Sequence, residues 1–132
     1  MTLVKAKIRL KGTRDRYSTT ALVDTGARMT LIDKSVADLV GVELTGREID
    51  FVSVSGHMLR ASEAVLREFE IEGELLKYEV MAVAEIPEAV KEVLTKSGLD
   101  GRVIVGLLTL ERANMLPDTA TGQLKRAGSF IF

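Results

Sequence analysis

Along the first residues of the chain, Val4, Ala6, Ile8 and Leu10 alternate with Lys5, Lys7, Arg9 and Lys11. A period of two sends successive side chains to opposite faces, so the pattern predicts a strand with one buried apolar face and one basic outer face. The polar stretch KGTRDRYS predicts a turn, and TTALV a returning strand that runs into Asp24. At DKSVADLVG the period changes. Asp33 is placed to cap a short helix, Val36, Leu39 and Val40 fall on one face, and Gly41 can end it.

IDFVSVSGHMLRA carries β-favouring residues on both sides of Ser55-Gly56-His57 and predicts a hairpin with that triplet at its tip. EAVLREFEIEGELLKYEVMAVAE predicts two longer strands joined near Glu72-Gly73, with Val65, Phe69 and Ile71 sharing a face. IPEAVKEVLTKSG predicts a helix with Pro87 in its first turn, an apolar side of Val90, Val93 and Leu94, and Gly98 as its stop. RVIVG is a short buried-strand pattern entering Gly106, LLTLERANM continues as a helix, and PDTATGQLKR holds a further turn and strand. The sum is a mostly β chain with two or three short helices and no repeat or long linker.

Composition narrows the function classes. A chain of 132 residues, 46% hydrophobic and 28% charged, suits one folded domain spanning residues 1–132. The formal charge of -1 supplies no basic field for nucleic acid. The absence of Cys removes disulfides, thiol catalysis and Cys-ligated zinc, and one His cannot build a multi-histidine metal site. MTLVKAKIRLK lacks the continuous apolar core of a secretion signal, and no stretch approaches the roughly 20 apolar residues of a membrane span. A soluble, cytoplasmic protein without nucleic-acid or membrane partners is the expectation.

The segment ALVDTGARMTLID concentrates the candidate chemistry. Asp24-Thr25-Gly26 reads in one way as a plain turn, since Asp accepts local backbone hydrogen bonds and Gly tolerates dihedrals closed to other residues. Read the other way, Asp24 sits rigidly at the end of a buried strand, as a general base needs. A lone carboxylate is a weak base. Two that share a proton differ, because like-charge repulsion leaves one ionised and the other protonated, so that one activates water while the other polarises an amide. A single copy of Asp24 cannot do both. Asp33 is better explained as a helix cap, and Asp118 in PDTATG as a turn residue, because Ala120 stands where a second Asp-Thr-Gly would need glycine. Asp24, Asp33 and His57 match no known metal-ligand spacing, and the glycines form neither a phosphate nor a dinucleotide fingerprint.

Asp24-Thr25-Gly26-Ala27, preceded by Ala21-Leu22-Val23 and followed by Thr30-Leu31-Ile32, resembles the catalytic loop of the retroviral-type (retropepsin-like) aspartic proteases. Val103-Ile104-Val105-Gly106-Leu107 resembles the apolar pair and glycine that pack beside that loop, and Val52 to Leu59 falls where the family has its flap. The resemblance runs in order from about residue 4 to residue 126. It implies a closed β-barrel with one to three short helices, a half-site per chain, and a homodimer in which each copy donates one Asp24. It implies an endopeptidase that hydrolyses an extended peptide or protein substrate with one bound water and no cofactor or metal. Thr25 would reach across the dimer, and the Gly26 N–H would help hold the carboxylates. Ala27, Val54, Ser55, Gly56, His57, Ile104 and Leu107 would contact substrate, with Val105 and Gly106 as structural support. His57 is expected to be a solvated tip residue rather than a catalytic one, and the apolar tail Phe130, Ile131, Phe132 to be buried at a subunit interface. A dimeric peptide-binding module without efficient cleavage is the alternative reading.

Overall fold

The computed structural model describes residues 3–52 and 58–128. In chain order the elements are β1 (Val4–Lys11), β2 (Arg16–Val23), β3 (Leu31–Asp33), α1 (Lys34–Val40), β4 (Glu43–Val52), β5 (Met58–Ile71), β6 (Glu74–Ala84), α2 (Glu88–Lys96), β7 (Val103–Val105), α3 (Leu107–Ala113), β8 (Met115–Asp118) and β9 (Gln123–Arg126). β1 pairs antiparallel with β2 on one side and with β5 on the other. β2 runs parallel to β7, β7 antiparallel to β3, β3 parallel to β6, and β6 antiparallel to β5. Six strands therefore close into a mixed barrel, with β4 attached to the first half of β5 and β8–β9 forming a separate hairpin. The sequence pattern predicts the mostly β class, and three short helices complete it.

The β1 alternation is realised in full: Val4, Ala6, Ile8 and Leu10 are buried and the four basic residues between and after them are exposed. Leu10 lies opposite Phe69 in the β1–β5 register, and both are fully buried at the centre of the core. Glu72 and Gly73 both take positive φ, 45° and 84°, which gives the β5–β6 turn the left-handed pair of a tight hairpin connection. Further along, the strand phase shifts. Ala64 and Leu66 are buried, then Phe69 and Ile71, so Val65 does not share the Phe69 face. The shift coincides with Tyr78, whose φ of 57° falls between the register pairs Leu66↔Glu79 and Glu68↔Lys77. β6 reverses there too, with Leu76 inward on one side of Tyr78 and Glu79 and Met81 inward on the other.

The helices bury narrower stripes than their sequences predict. In α1 the buried residues are Val36, Ala37 and Val40, while Leu39 is exposed; in α2 Leu94 is buried, Val90 half-buried and Val93 exposed. Helices of seven and nine residues expose most of their circumference when they lie on a barrel, so only one i, i+4 pair and its neighbours touch the core. The turn after β1 is also shorter than the polar run suggests, because Arg16, Tyr17 and Ser18 already belong to β2. Gly12 lets that turn close on the end of α1. A Cβ there would come within 2.0 Å of the Gly41 carbonyl oxygen, and the Thr13 and Arg14 N–H groups donate to the carbonyls of Gly41 and Val40.

Tyr17 ties the start of β2 to the loop before β7. Its hydroxyl donates to the Asp100 carboxylate and accepts from the Arg102 guanidinium, whose Cζ stands 5.1 Å from the ring centroid. Burial, then the adjacent Asp100 carboxylate, push the phenol up to about 12. For Asp100, burial favours the neutral acid, but hydrogen bonds led by the Tyr17 hydroxyl and the Arg102 N–H hold its carboxyl below the usual carboxylate range.

Candidate active site

Asp24 is the first residue beyond β2, and its position follows from the strand pairing around it. Val23 is opposite Val105 in the parallel β2–β7 pair, so Asp24 emerges beside the end of β7. Its N–H donates to the Val105 carbonyl at 2.9 Å, its carbonyl accepts the Ala27 N–H at 3.0 Å, and its Oδ1 accepts the Gly26 N–H at 2.9 Å. These three bonds fix the loop from Asp24 to Ala27. The same geometry makes Asp24-Thr25-Gly26 a turn and presents its carboxylate, so the two sequence readings are not exclusive.

The loop is also bound to α3. Helix N-termini leave backbone N–H groups without intrahelical partners. Here Leu107 N–H donates to the Ala27 carbonyl at 2.8 Å and Leu108 N–H to the Arg28 carbonyl at 2.9 Å. Gly106 N–H donates to Thr30 Oγ1 at 3.1 Å, and Thr30 Oγ1 lies 2.6 Å from Thr109 Oγ1. A Cβ on Gly106 would stand 2.3 Å from the Met29 carbonyl carbon and 2.8 Å from Thr30 N, so glycine here permits the helix to meet the loop backbone directly. Thr30 and Thr109 are buried polar residues that the sequence reading did not assign. Each is a lone hydroxyl in an apolar stretch, which is the available signal, but 79 positions separate them.

Asp24 and Ala27 are half-buried, and Thr25 and Gly26 exposed. Asp24, Gly26, Ala27 and Ile104 line a groove of about 960 Å³, whose other walls come from β4, β5 and the residues entering α2. At the far wall, Phe51 and Leu59 line the groove as register partners of the antiparallel β4–β5 pair. The segment with Val54, Ser55, Gly56 and His57, expected to bridge those strands over substrate, lies outside the described residues, as does the Phe130–Phe132 tail. Leu107 is outside the groove lining. From α3, the residues that line the groove are Leu108 and Arg112.

Several charges line the groove, and most are already matched. Arg47 pairs with Glu63 at 3.2 Å and Asp50 with Arg60 at 3.3 Å. Glu79, buried, pairs with Arg112 at 2.7 Å, and Arg112 also donates to the Lys77 carbonyl at 2.5 Å. The sequence reading missed this pair, because the phase shift at Tyr78 turns an acid of an outwardly polar strand into the groove.

Asp33 and Asp118, the two aspartates weighed against Asp24 in the sequence, have structural duties. Asp33 caps α1 by accepting from Ser35 N–H at 3.1 Å, and it also accepts the Ile86 N–H at 2.9 Å and pairs with Lys91 at 3.2 Å. Burial favours its neutral form, yet the hydrogen bonds from Ser35, Ile86 and Lys91 lower its pKa. Lys91 is shifted the opposite way: burial opposes its charge and the Asp33 partner more than restores it. Asp118 accepts the Ala120 N–H at 3.0 Å in the β8–β9 turn. Among the described residues, no three His, Asp or Glu side chains converge as a metal site would require, and no helix is long and apolar enough to cross a membrane.

Comparisons with known proteins bear on this arrangement. The aspartyl protease family matches residues 5–111. Among solved structures, the retroviral protease-like domain of Ddi1 from Leishmania major is 18% identical with a TM-score of 0.57, covering 96% of this chain and 89% of that one. The EIAV protease complexed with the inhibitor HBY-793 is 17% identical with a TM-score of 0.54, covering 81% and 85%. Among curated proteins, none matches the chain closely enough to count as a relative. The matched span includes both the Asp24 loop and the β7–Gly106 segment that binds it, and the chain belongs to the aspartyl protease family, with the retropepsin-like fold.

Proposed function

We propose that two copies of this chain form an aspartic endopeptidase, with one Asp24 from each at a two-fold axis. One observation carries the reading: Asp24 is held by backbone bonds at a groove of about 960 Å³, and its carboxylate accepts only the Gly26 N–H among the described residues. Asp33, in contrast, is fully engaged by Ser35, Ile86 and Lys91. A single carboxylate cannot both deprotonate water and donate to the substrate carbonyl, so the chemistry requires a second copy. Thr25 is exposed within the loop, and exposed near it are the apolar side chains of Leu107 and of Leu3, the residue before the β1–β2 pair Val4↔Val23. Apolar groups around an incomplete site favour burial against a second subunit.

In the reaction, the ionised Asp24 takes a proton from water as its oxygen attacks the scissile carbonyl carbon. The protonated partner carboxyl donates to the carbonyl oxygen. Collapse of the tetrahedral intermediate breaks the C–N bond, and the amine leaves with a proton from the dyad. One carboxyl must be ionised and the other protonated, so the rate is expected to fall toward both high and low pH. The test is Asp24→Asn, with folding and dimer mass verified by ultracentrifugation. Hydrolysis of a peptide library is expected to fall by about 10²–10⁴-fold. A verified Asp24→Asn dimer that cleaves at the unmodified rate overturns the mechanism. An unmodified dimer that binds peptides without hydrolysing them at any pH favours the interaction-module reading.

A further inference from the structure

Of the charged side chains that line the groove, Asp24 and Arg28 have no ion pair among the described residues, whereas Arg47, Asp50, Glu63, Glu79 and Arg112 each have one, so Arg28 is the one basic group there without such a partner. The segments outside the described residues contain no Asp or Glu, so they supply no side-chain carboxylate to it. Arg28 stands on the loop that carries Asp24. Its carbonyl is fixed by the Leu108 N–H at 2.9 Å, while its side chain is exposed to the groove. The groove thus offers an anchored backbone with an uncompensated guanidinium four residues from Asp24, between apolar walls that include Ala27, Ile104 and Leu108.

We propose that Arg28 selects substrates with an acidic side chain in the first few residues flanking the scissile bond. This rests on the reading of Asp24 above and adds a substrate class to it. An extended peptide alternates its side chains between opposite faces, so apolar residues can fill the walls while a neighbouring carboxylate meets Arg28. A guanidinium presents a planar fork of donors that a carboxylate matches with two hydrogen bonds. In a two-fold dimer each half of the groove brings its own Arg28, so the preference extends to both sides of the bond.

The test uses peptides of one apolar core with Glu, Gln or Lys at the flanking positions. Their kcat/KM is measured on the unmodified protein, Arg28→Gln and Arg28→Glu, and their binding is measured by fluorescence anisotropy on Asp24→Asn and on Asp24→Asn combined with Arg28→Glu. The unmodified protein is expected to favour Glu over Lys by roughly fivefold, the scale of partly exposed ion pairs, with the preference shrinking as salt rises. Arg28→Gln should level the series and Arg28→Glu should invert it. If the unmodified protein cleaves nothing, the binding series still decides: the same order on Asp24→Asn, inverted by Arg28→Glu, upholds Arg28 while the hydrolytic reading fails. Equal handling of Glu and Lys peptides in both series, a preference that Arg28→Glu leaves unchanged, or no binding of any peptide overturns the proposal.

Discussion

The hydroxyl oxygens of Thr30 and Thr109 lie 2.6 Å apart in the core, and Thr30 Oγ1 also accepts the Gly106 N–H at 3.1 Å. One hydroxyl thus joins the end of the Asp24 loop to both the entry and the interior of α3. Since Thr30 and Thr109 are both buried, water cannot replace either bond without opening the core.

The two threonines are therefore unequal. Thr30→Val keeps the shape but strands the Gly106 N–H and the Thr109 hydroxyl, and each buried unsatisfied group costs about 1–3 kcal/mol. Thr109→Val leaves Thr30 bonded to Gly106 and strands less. Urea denaturation should show a loss of about 2–4 kcal/mol for Thr30→Val and about 1 kcal/mol for Thr109→Val, with the double variant losing less than the sum. Equal single losses that add would show that the hydroxyls do not act as a pair.

Asp33 sets an acid limit on stability. Its folded-state pKa is lowered, so its contribution is complete above the unfolded-state value of about 3.9 and is lost as pH falls through the lower folded value. Asp33→Ala removes the α1 cap, leaves the buried Ile86 N–H unpartnered and leaves Lys91 with Glu88 as its one ion-pair partner among the described residues, at a cost of about 2–4 kcal/mol near neutral pH. Asp33→Asn should retain part of the cap and flatten the pH dependence of Tm on the acid side of about pH 5, and the two proteins converge once pH falls below the lowered folded-state value. Thermal unfolding across that range checks the sign. A Tm difference that widens as pH falls would contradict it.

How far the fold was legible depends on how local its causes are. The β1 strand, the Asp33 cap and the Glu72-Gly73 turn each rest on a few neighbouring residues, and local pattern reports them. Barrel closure is different: Leu10 meets Phe69 across a strand pair that no nearby residue specifies. The candidate site divides in the same way. Asp24 stands out because Thr and Gly follow it, whereas the Thr30–Thr109 bond and the Glu79–Arg112 pair join distant positions. Glu79 was hidden further, since a period of two predicts its face only if the strand keeps phase, and Tyr78 breaks it.

Two glycines of the site, Gly26 and Gly106, differ in what an added side chain would meet. Gly106 has a φ of -100°, which any residue adopts, so the objection to a side chain there is space rather than backbone conformation. An added Cβ would meet Met29 C and O at 2.3 and 2.4 Å and Thr30 N at 2.8 Å, all backbone atoms next to residues held by the loop-to-helix bonds. Gly106→Ala must push α3 off the loop, breaking the Leu107 and Leu108 bonds that fix Ala27 and Arg28. At Gly26 the nearest atom to an added Cβ is Asp24 Oδ1 at 3.1 Å, the end of a side chain that can rotate by a few tenths of an ångström. Gly106→Ala should therefore cost more than about 3 kcal/mol, beyond the usual range for point substitutions, and abolish peptide binding. Gly26→Ala should cost about 1 kcal/mol or less, keep the fold, and act chiefly on the hydrolytic rate by displacing the carboxylate. Urea denaturation, with peptide binding measured on the same samples, separates the two. A Gly106→Ala protein as stable as the unmodified chain would mean that the α3 entry does not hold the Asp24 loop.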